Sequence, residues 1–176
     1  MKNLIILSGA MGVGKTTIAK KLTNSLEKSV WLDGDWCWMQ GNDWNFCQEN
    51  KEMVINNINY LLKSFLKNSN FENIVFSWVL HSQEIWDLIL NSLKDFEFNL
   101  YKFTIVCDEE ILQNRLKSRY KDGEIKNLNA RILETVRQSK MYEKLDTIKI
   151  DSSKKKSEGV IKEIKKYLNI TSTTNY

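Results

Sequence analysis

A glycine-rich segment near the N-terminus has the residue types and spacing of a phosphate-binding loop. It reads GAMGVGKT from Gly9 to Thr16 and matches the pattern G-x-x-x-x-G-K-[ST] at every fixed position. In such a loop backbone N–H groups surround a β-phosphate, Lys15 brings positive charge to the β- and γ-phosphates, and the Thr16 hydroxyl binds Mg²⁺. The residues predicted to bind ATP are Gly9, Ala10, Met11, Gly12, Val13, Gly14, Lys15, Thr16 and, near the α-phosphate, Thr17.

Two acids separated by one glycine form the second group that could do chemistry. Asp33 and Asp35 follow the short apolar segment Ser29–Leu32. Phosphoryl transfer requires that charge at the phosphates is neutralised and that the acceptor hydroxyl is held in line. We therefore expect one acid to associate with magnesium and the other to face the acceptor. A solvated Asp-Gly turn is the alternative interpretation.

The elements that must position these residues are short strands alternating with amphipathic helices. Apolar runs predict strands at Leu4–Leu7, Ser29–Leu32, Asn73–Ser77, Phe103–Cys107 and Thr147–Ile150. Helical periodicity predicts helices after the glycine-rich loop, from Met53, from Ile85, from Ile111, over Ala130–Tyr142 and over Val160–Leu168. This alternation predicts an α/β fold with a parallel sheet covered on both faces.

Length and composition fit one soluble globular domain. The chain has 176 residues, of which 42% are hydrophobic and 27% charged. No apolar run is long enough to predict a transmembrane helix, and we recognise no signal peptide. The three cysteines, Cys37, Cys47 and Cys107, suggest free thiols in a reducing compartment, and hence a cytoplasmic location. With a single histidine in the chain, a Cys/His zinc site is not expected.

These features together resemble the P-loop small-molecule kinases of the nucleoside monophosphate kinase-like group. That group also includes shikimate, gluconate and adenylylsulfate kinases and chloramphenicol phosphotransferase, and the sequence looks most like its tunicamycin-resistance ATP-binding proteins. The resemblance covers nearly the whole chain, and the glycine-rich loop is its most specific part. The shorter matching stretches are Asp33-x-Asp35, Phe103–Ile105 leading into Leu116–Arg119, and Val79–His81 leading into Trp86 and Ile89.

The resemblance implies a fold, two cofactors and roles for the two acids. The fold is a three-layer α/β sandwich with a five-stranded parallel sheet in the order 2-3-1-4-5, and the cofactors are ATP and Mg²⁺. Asp33 is expected to assist Mg²⁺ through water, and Asp35 is expected to be catalytic, contacting the acceptor and orienting or deprotonating its hydroxyl. A short lid is expected at about residues 118–128.

The resemblance also implies roles for arginines near that lid. Arg115 and Arg119 lie four residues apart on one predicted helix face, where arginines of the group cover the nucleotide. Arg131, on the helix leaving the lid, is expected to reach the transferring phosphate, a task that Arg137 could share. We therefore predict that Arg119 and Arg131 are catalytic and that Arg115 binds nucleotide. Solvated surface arginines are the alternative.

Further candidates lie after the second, third and fifth predicted strands. Asp151 follows the fifth strand, where the group often has a loop against adenine. Trp36, Trp78 and His81 are predicted to contact the acceptor, with core packing of the tryptophans and a structural histidine as alternatives. Ser77 stands where kinases of this group often carry an acid. Magnesium would then depend on the acids that follow the second strand.

Charge distribution bears on the acceptor. Residues 29–101 hold four Lys against ten Asp and Glu, and no Arg occurs from Ser29 to Asn114. An arginine-free, acidic and aromatic stretch favours a neutral or weakly charged acceptor bearing a hydroxyl, and disfavours a nucleoside monophosphate. No long basic stripe with interleaved aromatic residues predicts a nucleic-acid partner.

The sequence predicts one kinase domain over residues 1–170, followed by a frayed tail at residues 171–176. The predicted function is ATP-dependent transfer of the γ-phosphate to a hydroxyl of a small molecule. A nucleotide or nucleoside kinase is one alternative. An ATP-binding protein that sequesters a ligand with little turnover is another. The identity of the acceptor and the oligomeric state stay open.

Overall fold

Five parallel strands form a sheet in the order β2-β3-β1-β4-β5. The computed structural model describes residues 1–41, 45–119 and 127–168. Strands β1 to β5 are Lys2–Ser8, Ser29–Asp33, Asn73–Ser77, Phe98–Val106 and Ile148–Asp151. The strand order and parallel direction predicted from the sequence are confirmed.

Helices cover both faces of this sheet. Helices α1 to α6 are Lys15–Asn24, Gln48–Lys67, Gln83–Ser92, Glu109–Arg119, Leu128–Ser139 and Ser157–Tyr167. Short 3₁₀ turns cover Gly34–Cys37 and Lys140–Lys144. One hydrophobic cluster joins the sheet to α1, α4, α5 and α6, and a second joins it to α2 and α3. The three-layer sandwich is therefore confirmed.

Strand β1 shows how the two cores are filled. Ile5 and Leu7 pack into the first cluster, Leu4 and Ile6 pack into the second, and all four are fully buried. Successive side chains of a strand point to opposite faces, so a central strand covered on both faces is apolar at every position. Since β1 is fixed from both sides, the loop that follows Ser8 starts from a rigid point.

Several element boundaries differ from the sequence prediction, most of them by one to three residues. Strand β4 begins at Phe98 and not at Phe103, because residues 98–102 also pair with β1. The sequence does not predict this part, since it mixes apolar and polar side chains and is partly exposed. Helix α2 begins at Gln48 rather than near Met53, since its first turn is polar and exposed. Helix α5 ends at Ser139, and the chain continues as a 3₁₀ turn.

Several predicted features fall outside the described residues. Residues 120–126 make up most of the predicted lid, and residues 171–176 are the predicted tail, so the division into domains stays a prediction. Within the described ranges, no helix has both the length and the apolar character needed to cross a membrane.

Candidate active site

The glycine-rich loop joins β1 to α1 at the carboxyl edge of the sheet. Gly9, Gly12 and Gly14 have φ angles of 143°, 88° and 102°, a range that side chains with a Cβ rarely adopt. Gly14 immediately precedes α1, and no described side chain caps that helix. The first N–H groups of α1 and the positive end of its dipole can therefore serve an anion.

A cleft of about 1150 Å³ opens in front of this loop. We call the wall formed by the loop and the start of α1 its phosphate end; it comprises Met11, Gly12, Gly14, Lys15, Thr16 and Thr17. Ala10 and Val13 belong to the same loop, but their side chains are buried on its other side. Gly9 is likewise buried, so these three residues contribute backbone to the loop.

Lys15 lies at the phosphate end with its ammonium group held over the loop. Its Nζ donates to the carbonyl oxygens of Gly9 at 2.8 Å and Ala10 at 3.0 Å. Burial lowers the pKa of Lys15 to about 8, although the nearby Asp35 and Asp33 oppose that change. Lys15 is thus a cation whose charge is poorly solvated, and a bound polyphosphate would stabilise it.

The two acids occupy different surroundings within one turn. Asp33 is buried at the end of β2; its carboxylate accepts hydrogen bonds from Thr16 Oγ1 at 3.1 Å and from the backbone N–H of Asp35 at 3.1 Å. Asp35 lies one residue into the 3₁₀ turn and faces the cleft. Burial and the neighbouring Asp33 raise the pKa of Asp35, and Lys15 partly offsets this.

These contacts fit a magnesium ion held largely by the nucleotide. The Thr16 hydroxyl donates its proton to Asp33, so the lone pairs of Thr16 Oγ1 are left for a metal ion. Asp33 can also accept a hydrogen bond from metal-bound water. Among the described residues, no group of three or more His, Cys, Asp or Glu is arranged to hold a metal by itself. Phosphate oxygens would therefore have to complete the coordination.

Ser77, at the end of β3, stands where an acid is common and takes part in a contact between two strands. It is buried, and its Oγ accepts a hydrogen bond of 3.0 Å from Trp31 Nε1 on β2. The Trp31–Ser77 hydrogen bond joins β2 and β3 where their carboxyl ends meet, which fixes the strand that delivers Asp33.

Arg115 and Arg119 both line the cleft from α4. Arg115 donates to the carbonyl oxygen of Val13 at 3.3 Å and to Ser152 twice, at Oγ (3.0 Å) and at the carbonyl oxygen (2.7 Å). It thereby ties the phosphate loop to the segment that follows β5. The charge of Arg119 adds to the effect of burial in lowering the pKa of Lys15, and it opposes the rise in the pKa of Asp35.

Arg131 and Asp151 are not brought to the cleft. Arg131 is exposed on α5 and does not line it. Asp151 lines a separate cavity of about 330 Å³ behind the loop, beside Ala10 and Val13. Its carboxylate accepts from the backbone N–H and the hydroxyl of Ser153, which lowers the pKa of Asp151.

The distal half of the cleft is formed largely by α2 and α3. We use this name for the lining residues from α2 (Gln48, Lys51, Glu52, Ile55, Asn56), from α3 (Ile85, Leu88), and Trp38, Phe46, Trp78, Val79 and His81. The α2 residues follow the spacing of a single helical face. The adjacent face of α2 carries the buried residues Val54, Ile58, Leu62 and Leu66, which belong to the second hydrophobic cluster.

The aromatic residues divide between the cleft and the outside. Trp38 and Phe46 pack at 5.0 Å between ring centroids, and both line the distal half with Trp78. Trp36, by contrast, is 50% exposed and does not line the cleft; its ring packs at a tilt against Trp31, with 4.7 Å between the ring centroids. His81 is exposed at the cleft edge, and its Nδ1 lies 3.0 Å from the carbonyl oxygen of Val79.

Trp78 lies where the distal half of the cleft borders the acids that follow β2. It is buried, and its ring packs on the backbone of Gly34, leaving no space for a Cβ there. Its Nε1 makes no hydrogen bond of normal geometry within the described residues, yet it is close enough to Asp35 to help restrain the rise of that pKa.

Sequence reasoning missed the lining that α2 and α3 provide. Gln48, Glu52 and Asn56 are polar and look like part of a solvated helix face, and Ile85 and Leu88 look like core residues. A signal was present in the spacing of Gln48, Glu52, Ile55 and Asn56. It could not be used without knowing which face of α2 packs on the sheet.

The family of the chain is decided by a match over most of its length. Residues 5–161 match the family model described as AAA domain (AAA_18). The chain belongs to this AAA domain family. The matched region contains the glycine-rich loop, both acids and every arginine assigned above.

The fold of this AAA domain is similar to the folds of solved P-loop kinase structures. It is similar to the Deinococcus radiodurans tunicamycin resistance protein (15% identity, 97% of this chain and 98% of that chain, TM-score 0.65). It is similar to a gluconokinase from Sinorhizobium meliloti 1021 (14% identity, 93% and 89%, TM-score 0.66). A shikimate kinase from Bacteroides thetaiotaomicron is a third such structure (16% identity, 96% and 99%, TM-score 0.63).

At these identities the likeness establishes the fold, and the resemblance to P-loop small-molecule kinases is confirmed at that level. No curated protein sequence matches the chain significantly.

Proposed function

We propose that this AAA domain is an ATP-dependent phosphotransferase that moves the γ-phosphate onto a hydroxyl of a small molecule. One observation carries the proposal. Lys15, the Thr16–Asp33 pair and Asp35 converge at one end of a cleft whose other half is large enough for a second small molecule. A site for nucleotide alone would not need an acid facing that second space.

Each residue at the phosphate end has a separate role in the proposed phosphoryl transfer. The loop amides and Lys15 bind the phosphates, and Arg119 adds positive charge from α4. Mg²⁺, when bound, would neutralise charge on the phosphate oxygens, and Thr16 and Asp33 would hold it and its water. Asp35 would orient the acceptor hydroxyl and accept its proton; burial and the neighbouring Asp33 raise its pKa, which makes it a stronger base than an ordinary carboxylate.

The proposal is tested by ADP release with and without a panel of hydroxyl compounds. Lys15→Ala should abolish stimulated release, because nothing else on the loop places a cation against the γ-phosphate. Lys20→Ala is the matched control, since Lys20 is an exposed lysine of the same helix that does not line the cleft. Full turnover by a folded Lys15→Ala variant would contradict the proposal.

Two other functions are favoured by particular features. The aromatic lining by Trp38, Phe46 and Trp78 would also stack on a base, which favours a nucleoside kinase. The serine at the end of β3 in place of an acid favours an ATP-binding protein with little turnover. Nucleoside-stimulated ADP release would identify the former, and ligand affinity without stimulated release the latter.

A further inference from the structure

The distal half of the cleft is apolar where it lies deepest between α2 and α3. Ile55, Ile85 and Val79 are partly buried hydrophobic residues that pack against the core and also line the cleft. Leu88 lines the same space and is 57% exposed. Exposed apolar surface of this kind, inside a concave site, is typical of a pocket for an apolar ligand.

Apart from His81 at the cleft edge, the charged and amide side chains of this half lie along one side. Gln48, Lys51, Glu52 and Asn56 belong to the single α2 face, and Gln48 Nε2 already donates to Glu52 Oε1 at 2.8 Å. No arginine is present from Ser29 to Asn114 to hold a carboxylate or phosphate. An anionic acceptor would lie beside Asp35 and Glu52. Hydroxyl groups of a polyhydroxylated acceptor that face Ile55, Ile85 and Leu88 would lose their water without gaining a side-chain partner.

We propose that the acceptor is an uncharged alcohol with a bulky apolar body, aromatic or alkyl, that lies between α2 and α3. Its hydroxyl meets Asp35, and its apolar body contacts Ile55, Ile85 and Leu88. The inference rests on the proposed function. The hydroxyl oxygen forms a bond to the γ-phosphorus, the bond from that phosphorus to the β,γ-bridging oxygen breaks, ADP leaves, and the hydroxyl proton passes to Asp35 and then to water.

The experiment uses ω-phenylalkanols of increasing chain length, with glucose, gluconate, shikimate and uridine as polar acceptors. In an ADP-release assay, kcat/KM should rise by about fourfold for each methylene that enters the apolar space. Leu88→Asn should flatten this slope. Leu133→Asn is the matched control, because Leu133 is an exposed leucine of α5 that does not line the cleft.

Binding of the same alcohols is measured separately, with Mg²⁺ and a non-hydrolysable ATP analogue, by calorimetry. A length-dependent affinity without turnover of any compound in the panel would support an apolar ligand in this half and overturn the proposed function, and with it the role of that ligand as acceptor. Turnover of gluconate, shikimate, glucose or uridine above that of every phenylalkanol would keep the proposed function and overturn the inference. Equal slopes in the Leu88→Asn and Leu133→Asn variants, or no slope in either assay, would overturn it as well.

Discussion

At the scale of single residues, the site holds ionisable groups in environments that disfavour their charge. Burial lowers the pKa of Lys15 and raises the pKa of Asp35. A ligand that restored favourable interactions would stabilise the charged form of each group; in the proposed function these ligands are a polyphosphate for Lys15 and a hydroxyl donor for Asp35. Such shifts cluster at functional sites.

Lys15 should make nucleotide binding depend on pH. Its pKa of about 8 in the free protein lies below its ordinary value, and a bound triphosphate favours the charged form. Above about pH 8 binding must take up a proton, so ATP affinity should fall by up to about tenfold per pH unit, whereas near pH 7 it should be flat.

Calorimetry of a non-hydrolysable ATP analogue from about pH 7 to pH 9.5 measures this dependence. Lys15→Arg is the control, because a guanidinium stays protonated throughout this range. The same slope in both proteins would show that another group takes up the proton.

Asp35→Asn should lower kcat far more than it weakens ATP binding. An amide still accepts a hydrogen bond from a hydroxyl but cannot take its proton, and loss of a general base typically costs about 10²–10⁴-fold. Asp95→Asn, at an exposed position outside the cleft, controls for the change of charge. An unchanged kcat with a large loss of ATP affinity would instead assign Asp35 to magnesium.

At the scale of elements, the 3₁₀ turn after β2 aims the two acids. Asp33 caps the turn by accepting from the N–H of Asp35, and the backbone at Gly34 packs directly on the ring of Trp78 after β3. The ring of Trp78 and the carboxylate of Asp35 are thus positioned by one contact between neighbouring strand ends.

Gly34→Ala should therefore disturb stability and the site together. The added Cβ would overlap the Trp78 ring, and forcing extra volume into a packed position typically costs about 1–3 kcal/mol of unfolding free energy. Gly41→Ala is the matched control, since a Cβ at Gly41 meets no atom within 4 Å. Denaturant unfolding compares the two variants, and equal stabilities would contradict the packing described for Gly34.

At the scale of the whole molecule, charge is segregated along the chain and across the cleft. Both arginines that line the cleft come from α4, on the nucleotide side. The lysines of residues 29–101 are Lys51, Lys63, Lys67 and Lys94, and of these Lys51 alone lines the cleft. The distal half therefore offers little positive charge to an acceptor.

Nucleoside monophosphates should be poor acceptors for this reason. Each would bring about two negative charges beside Asp35 and Glu52, with no arginine fork to hold them. ADP release with AMP, CMP, UMP, GMP and dTMP at millimolar concentration should stay below about 1 s⁻¹. Faster turnover with any of them would favour a nucleotide kinase instead.

The sequence by itself determined the phosphate loop and the sheet. The loop depends on residues that are adjacent in the chain, so its spacing alone identifies Gly9–Thr16. Buried parallel strands are continuous apolar runs, which is why their number and places could be predicted. The start of β4 could not be predicted, because its first residues are partly exposed and mix apolar with polar side chains.

Only the tertiary structure decided which side chains face the distal half of the cleft. Trp36 and Trp38 are two residues apart, yet Trp38 lines the cleft and Trp36 lies outside it, packed against Trp31. The Ser77 hydroxyl is occupied by Trp31, which is 46 residues away in sequence. These outcomes depend on contacts between distant segments, chiefly the packing of β2, β3, α2 and α3, and local spacing carries no record of such contacts.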